Sequence, residues 1–187
     1  MSRYDKLYAS GGFKYTTSFG KRHIQRIQEA YNCFTPGMSI LDAPCGDGFW
    51  GKILHSQYNA KVTSVDISLV GATKANGIQH DLEIRNPDWT PHKFDLVFCR
   101  GLSHFHHANF MGDRLFTVID NLSNYAPYTL IIYATSQTNK SLPGHHHHTK
   151  KAINKQLSWI GTFKSRMIKG YYTALLDFTG IESDIPL

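Results

Sequence analysis

A doubly wound α/β fold, with a mostly parallel sheet and helices on both faces, is what this sequence predicts. Three observations carry the prediction. Short apolar runs rich in Val, Ile and Phe alternate with segments of helical period, and strands separated by helices pair in parallel. The first run, MSILDA, leads straight into a glycine-rich turn, Pro44-Cys45-Gly46-Asp47-Gly48. Acids stand where the runs end, at Asp42, Asp66 and Asp81, the strand ends at which open α/β sheets bind ligands.

The elements follow in order. Phe19, Ile24, Ile27 and Tyr31 recur at near-helical spacing, so a helix is expected from about Thr17 to Phe34, stopped by Pro36-Gly37. Met38 to Ala43 reads as a buried strand. A helix from about Phe49 to Tyr58 follows the glycine turn, then KVTSVDIS as a second strand and LVGATKANG as a short helix. GIQHDLE holds a brief third strand, Asn86-Pro87-Asp88 a turn, and KFDLVFCR a fourth strand. A helix from about Asn109 to Tyr125 and a fifth strand, YTLIIYAT, complete the alternation.

Beyond the fifth strand, Ile153, Leu157, Ile160 and Met167 fall on one side at 100° per residue, with Lys151, Lys155, Arg166 and Lys169 opposite. This predicts a basic amphipathic helix from about Thr149 to Lys169, then a last strand, GYYTALLDF. With no clear seventh strand, the sheet is expected to be shortened there, its open edge available to a partner subunit.

Composition narrows the class. The formal charge is +6, and no acidic residue occurs between Asp120 and Asp177, where Lys140, Lys150, Lys151, Lys155, Lys164, Arg166 and Lys169 all fall. Such a segment is either a solvated face or a surface for an anion. Cys33, Cys45 and Cys99 are scattered, without disulfide or zinc spacing. No apolar run approaches the roughly 20 residues of a membrane span, and the opening residues are of mixed charge, so a cytoplasmic location without membrane partners is expected. His145 to His148 alternate sides in an extended loop and are read as a surface run, with no metal site expected.

Gly46, Gly48 and Gly51 spell G-x-G-x-x-G, and Asp66 lies 20 residues after Gly46, as a ribose-binding acid does in a dinucleotide fold. Charge argues against a pyrophosphate, because Asp42 and Asp47 bracket the loop and repel phosphate. The stiff Pro44-Cys45 pair also replaces the usual first glycine. A cofactor with an ammonium group, a sulfonium and ribose hydroxyls suits the loop better, and Gly51 then reads as a helix-packing glycine.

LDAPCGDG resembles motif I of class I S-adenosylmethionine (SAM)-dependent methyltransferases, an acid-x-Gly-x-Gly-x-Gly pattern with Pro44 in place of the first glycine. VDIS, QHDLE and FDLVFCRGLSHFHH are similar to the family's later motifs, in order, over roughly residues 20 to 135. Arg-Gly-Leu-Ser is similar to small-molecule methyltransferases, including glycine N-methyltransferase-like enzymes. The resemblance implies SAM as cofactor and S-adenosylhomocysteine (SAH) as product. It assigns Asp42, Ala43, Pro44, Gly46 and Gly48 to the methionine end, with Asp42 receiving the ammonium directly or through water. Asp66 and Ile67 then meet the ribose, Asp81 and Leu82 the adenine, and Arg100 and Gly101 complete the set. On this reading the chain is one methyltransferase domain: an N-terminal lid at 1–35, a cofactor-binding core at 36–135, and the basic helix with the last strand at 136–187.

For chemistry, His104 and His106 lie past the fourth strand, where a histidine can take the acceptor's proton. His107, Tyr4, Tyr8 and Tyr15 are expected around the acceptor, the tyrosines flanking a Gly-Gly hinge. The motifs of DNA amino-, cytosine-C5- and protein-arginine methyltransferases are missing. A small-molecule acceptor is expected, with RNA or another polyanion on the basic C-terminal face, or a non-catalytic binding subunit, as alternatives.

Overall fold

The computed structural model describes residues 3–134 and 146–179; Lys140, His145 and the closing IESDIPL lie outside them. Strands β1 (Ser39–Asp42), β2 (Lys61–Asp66), β3 (Ile78–Gln79), β4 (Leu96–Arg100), β5 (Tyr128–Ala134), β6 (Thr162–Ile168) and β7 (Tyr171–Asp177) form one sheet in the order β3-β2-β1-β4-β5-β7-β6. Strands β1 to β5 pair in parallel, and β7 runs antiparallel between β5 and β6.

Alternation along the strands divides the core into two layers. Leu41, Val97, Cys99, Ile131 and Tyr133 pack on one face with α5 (Asp113–Tyr125) and α6 (Lys150–Leu157). Ile40, Leu96, Phe98, Leu130 and Ile132 pack on the other with α2 (Thr17–Tyr31) and α3 (Phe49–Tyr58). Two short helices, α1 (Arg3–Ala9) and α4 (Leu69–Lys74), lie together beside the glycine loop. α2 is started by Thr16, whose hydroxyl accepts from the Phe19 amide, and is closed by Asn32 in the left-handed region. α5 begins at Asp113, later than the apolar spacing suggests, because Phe110, Met111 and Gly112 all take positive φ.

The C-terminal region differs from the expected shortened sheet. The segment from Thr149 to Lys169 is not one helix, for α6 ends at Leu157 and β6 begins at Thr162. Past Gly161 the pattern changes to period 2, with Thr162, Lys164 and Arg166 exposed and Phe163 and Ser165 half-buried. Lys169 and Gly170, at φ 51 and 81, make the two-residue turn into β7, the conformation a tight hairpin requires. The apolar spacing of Ile160 and Met167 with the helix is therefore accidental. The continuous basic helical face is absent as well: Lys151 and Lys155 lie on α6, while Arg166 lies on β6. The edge strand carries Lys164 and Arg166, charges of the kind that discourage edge pairing.

Among the described residues, no helix is long and apolar enough to cross a membrane.

Candidate active site

The carboxyl ends of the parallel strands open into a cavity of about 470 Å³. Pro44, Gly46 and Asp47 reach it from the loop after β1, Asp66 and Ile67 from the end of β2, Asp81 and Leu82 from the loop after β3. Arg100, Gly101, His104 and His106 follow β4 into it, and Tyr4, Tyr8 and Tyr15 close it from the N-terminal segment. Asp42, Ala43, Gly48 and His107 do not line it.

The glycine loop is built for close approach. Gly46 sits at φ 57, and a Cβ there would lie 3.1 Å from the Tyr8 hydroxyl. Gly48, at φ 78, caps α3, and a Cβ there would come within 2.9 Å of Ala75. Neither position tolerates a side chain without displacement. Gly51 serves packing: its Cβ would meet Val62 at 3.0 Å and Asp42 at 3.1 Å.

Asp66 is the organised acid. Its carboxylate accepts from the Gly46 amide at 2.9 Å and the Ser68 amide at 2.8 Å, one on each oxygen. Burial raises its pKa, and these two amides oppose the rise. Each oxygen keeps a further lone pair for a ligand hydroxyl. Asp42, on the neighbouring strand, is fully buried, and neither of its oxygens has a hydrogen bond of good geometry. Burial pushes it up to about 8, with the Gly51 amide opposing and Asp66 and Asp47 adding to the rise. It lies beneath the loop, so it has no direct reach to a ligand in the cavity.

α1 is fastened over this end. Lys74 Nζ donates to the Tyr8 carbonyl, and the Ser68 hydroxyl donates to Asp5. Tyr8 is buried against Gly46 and Gly71.

His104 is buried, and its Nε2 lies 2.9 Å from Glu83. Arg114 grips the same carboxylate through Nε and Nη2 at 2.6 to 3.0 Å. That grip, against partial burial and helped by His104, holds Glu83 below the usual carboxylate range. His106 packs against Tyr133, with the rings tilted and their centroids 4.8 Å apart.

Residues 146–148 correct the reading of a surface run. The His146 amide donates to the His106 carbonyl, His147 Nδ1 pairs with the Ala134 carbonyl, and His148 Nε2 with the His107 carbonyl. His148 is buried against Phe110 with ring centroids 3.6 Å apart. These histidines fasten the loop that carries His104 and His106.

No family model matches the sequence, and no curated protein matches it. Solved structures do match in shape. A SAM-dependent methyltransferase from Archaeoglobus fulgidus shares 14% identity over 94% of this chain and 100% of its own, with a TM-score of 0.65. One from Aquifex aeolicus shares 15% over 88% and 98%, with a TM-score of 0.64. Magnesium protoporphyrin IX methyltransferase from Synechocystis, with bound SAM, shares 18% over 94% and 83%, with a TM-score of 0.56. The chain has the class I methyltransferase fold.

Within this methyltransferase fold, several lining residues were not among the expected site residues. Trp50, Tyr171, Glu83, Arg114 and Lys14 all face the cavity. Glu83 had a signal, since it follows Asp81 and Leu82 directly. Tyr171 lies in the expected last strand, but only the pairing of that strand with β5, at Ala134, brings it to the strand ends.

Proposed function

We propose that this protein is a SAM-dependent methyltransferase acting on a small-molecule acceptor. One observation carries the reading: loops after β1, β2 and β3 converge on a single cavity that also holds the end of β4 and the N-terminal tyrosines. The residues suit the cofactor. Asp66 has lone pairs to spare for ribose hydroxyls, Gly46 leaves room for the methionine chain, and Asp81 with Leu82 offers an acid beside an apolar contact for adenine. Acids along this wall favour a sulfonium and disfavour the pyrophosphate of NAD.

When bound, SAM supplies a methyl carbon already activated for in-line displacement, so the protein contributes mainly alignment and exclusion of water. Tyr4, Tyr8 and Tyr15 provide the exclusion. His104, expected as the base, has Nε2 held by Glu83 and Nδ1 buried, so neither nitrogen is presented to an acceptor and the residue shapes the cavity wall.

Titration calorimetry with SAH and NAD tests the cofactor. SAH is expected to bind and NAD to give no heat; the reverse result, or silence with SAH, overturns the proposal. Methyl release from labelled SAM across metabolite pools tests turnover.

A further inference from the structure

Arg100 is a cation that no acidic side chain among the described residues neutralises. Period 2 along β4 puts it on the same face as Leu96 and Phe98, toward α2 and α3. There its guanidinium carbon lies 4.4 Å from the Trp50 ring centre, 4.6 Å from that of Tyr171 and 5.2 Å from that of Tyr15. Ring faces stabilise the charge but leave the in-plane N–H groups unmet. Nε and Nη2 are both buried without a hydrogen-bond partner, and no acid among the described residues pairs with Arg100. These two nitrogens are shut in beside the rings, but Arg100 also lines the cavity, so its charge is open there to an anion, and a planar guanidinium suits a carboxylate. A guanidinium held among rings without a counter-ion is costly, and an anion in the adjoining cavity offsets that charge.

We propose that Arg100, which the resemblance assigns to the cofactor, instead binds the carboxylate of the methyl acceptor, which is then a small organic acid with an apolar body. This rests on the methyltransferase reading of the same cavity. The strand order separates the charges: Asp81, Asp66 and Asp47 come from the β3-β2-β1 side, whereas Arg100 and Tyr171 come from β4 and β7. The acidic side suits the cationic cofactor, leaving the Arg100 side to the acceptor. Lys14 adds positive charge to the wall, and Phe13, Leu102 and Met111 supply apolar contact.

The test titrates SAH-saturated protein with benzoate and with its neutral analogue benzamide. Wild type is expected to bind benzoate and to ignore benzamide. Arg100→Gln is expected to lose benzoate affinity by roughly tenfold or more while binding SAH as wild type does, with thermal melts confirming the fold. Arg100→Lys, which keeps the charge without the fork, is expected to fall between. Equal binding of benzamide, or no binding of benzoate to wild type, overturns the proposal. So does an Arg100→Gln protein that binds SAH weakly yet binds 5′-methylthioadenosine normally, since that assigns Arg100 to the cofactor's own carboxylate. If wild type fails to bind SAH, the methyltransferase reading falls, and benzoate titrated into the cofactor-free protein still decides the role of Arg100. Should the variants not fold, the Arg100 Nε–H resonance of wild type must shift with benzoate; an unmoved resonance refutes the assignment.

Discussion

The two sides of the cavity hold charge by different means. On the β3-β2-β1 side, acids sit at strand ends, and Asp66 is secured by the amides of Gly46 and Ser68. On the β4-β7 side, the Arg100 cation is held by the faces of Trp50, Tyr171 and Tyr15, with buried His23 beside two of those rings. Backbone amides following a strand come from neighbouring sequence, so the acidic side is local. The ring-lined side is assembled from residues 15, 23, 50, 100 and 171 and exists only once the sheet has closed.

The largest expected contrast lies in Asp42, the acid on the first side that has only the Gly51 amide in support. Its pKa rises from 3.8 to about 8 on folding. The unfolded chain therefore gives up this proton at low pH while the folded chain keeps it. Stability from this group is full below 3.8 and is lost as pH rises toward 8, on the order of several kcal/mol. Asp42→Asn is expected to remove that loss, so denaturant melts of variant and wild type should diverge in the variant's favour from pH 6 to 8. Parallel curves would show that Asp42 is better solvated than its burial implies.

On the second side, Trp50→Ala removes a wall of the cage and part of the α3 core together. A loss of about 3 to 5 kcal/mol is expected, read from urea midpoints. Asp66→Asn sharpens the comparison from the cofactor's side: replacing a charged acceptor with a neutral amide is expected to cost about 2 kcal/mol of SAH affinity, roughly thirtyfold. Arg100→Gln is expected to leave the same measurement unchanged.

This division also explains how much could be read from the sequence. Each of β1 to β5 is encoded by a contiguous apolar run, and the glycine turn with Asp66, Asp81 and Leu82 occupies consecutive positions at their ends. The acid side was legible for that reason, although Asp42, expected to receive the ammonium directly or through water, is fully buried and does not line the cavity. The C-terminal hairpin was not legible, because Ile153, Leu157, Ile160 and Met167 fit a helical period by chance across the break at Gly161. The last strand, GYYTALLDF, was legible and is β7, but its pairing beside β5 was not, so Tyr171 could not be brought to Arg100 and the cage could not be assembled. The histidines at 146–148 show the same limit, since their partners are carbonyls of residues 106, 107 and 134.

His23 gives the smallest effect and the cleanest sign. It is buried, neither ring nitrogen has a hydrogen-bond partner, and Phe19, Trp50 and Tyr171 surround it. Burial first, and the nearby Arg100 charge second, lower its pKa from 6.5 to about 4. As pH falls through that window the unfolded chain takes up a proton that the folded chain refuses, so stability declines below pH 6.5 and levels off below 4. Between pH 7 and 5 the expected loss is about 2 kcal/mol. His23→Leu is expected to abolish this component of the slope, which urea melts at the two pH values measure. The same substitution in an Arg100→Gln background separates the two causes: a His23 that still resists protonation without its cationic neighbour is held neutral by burial alone.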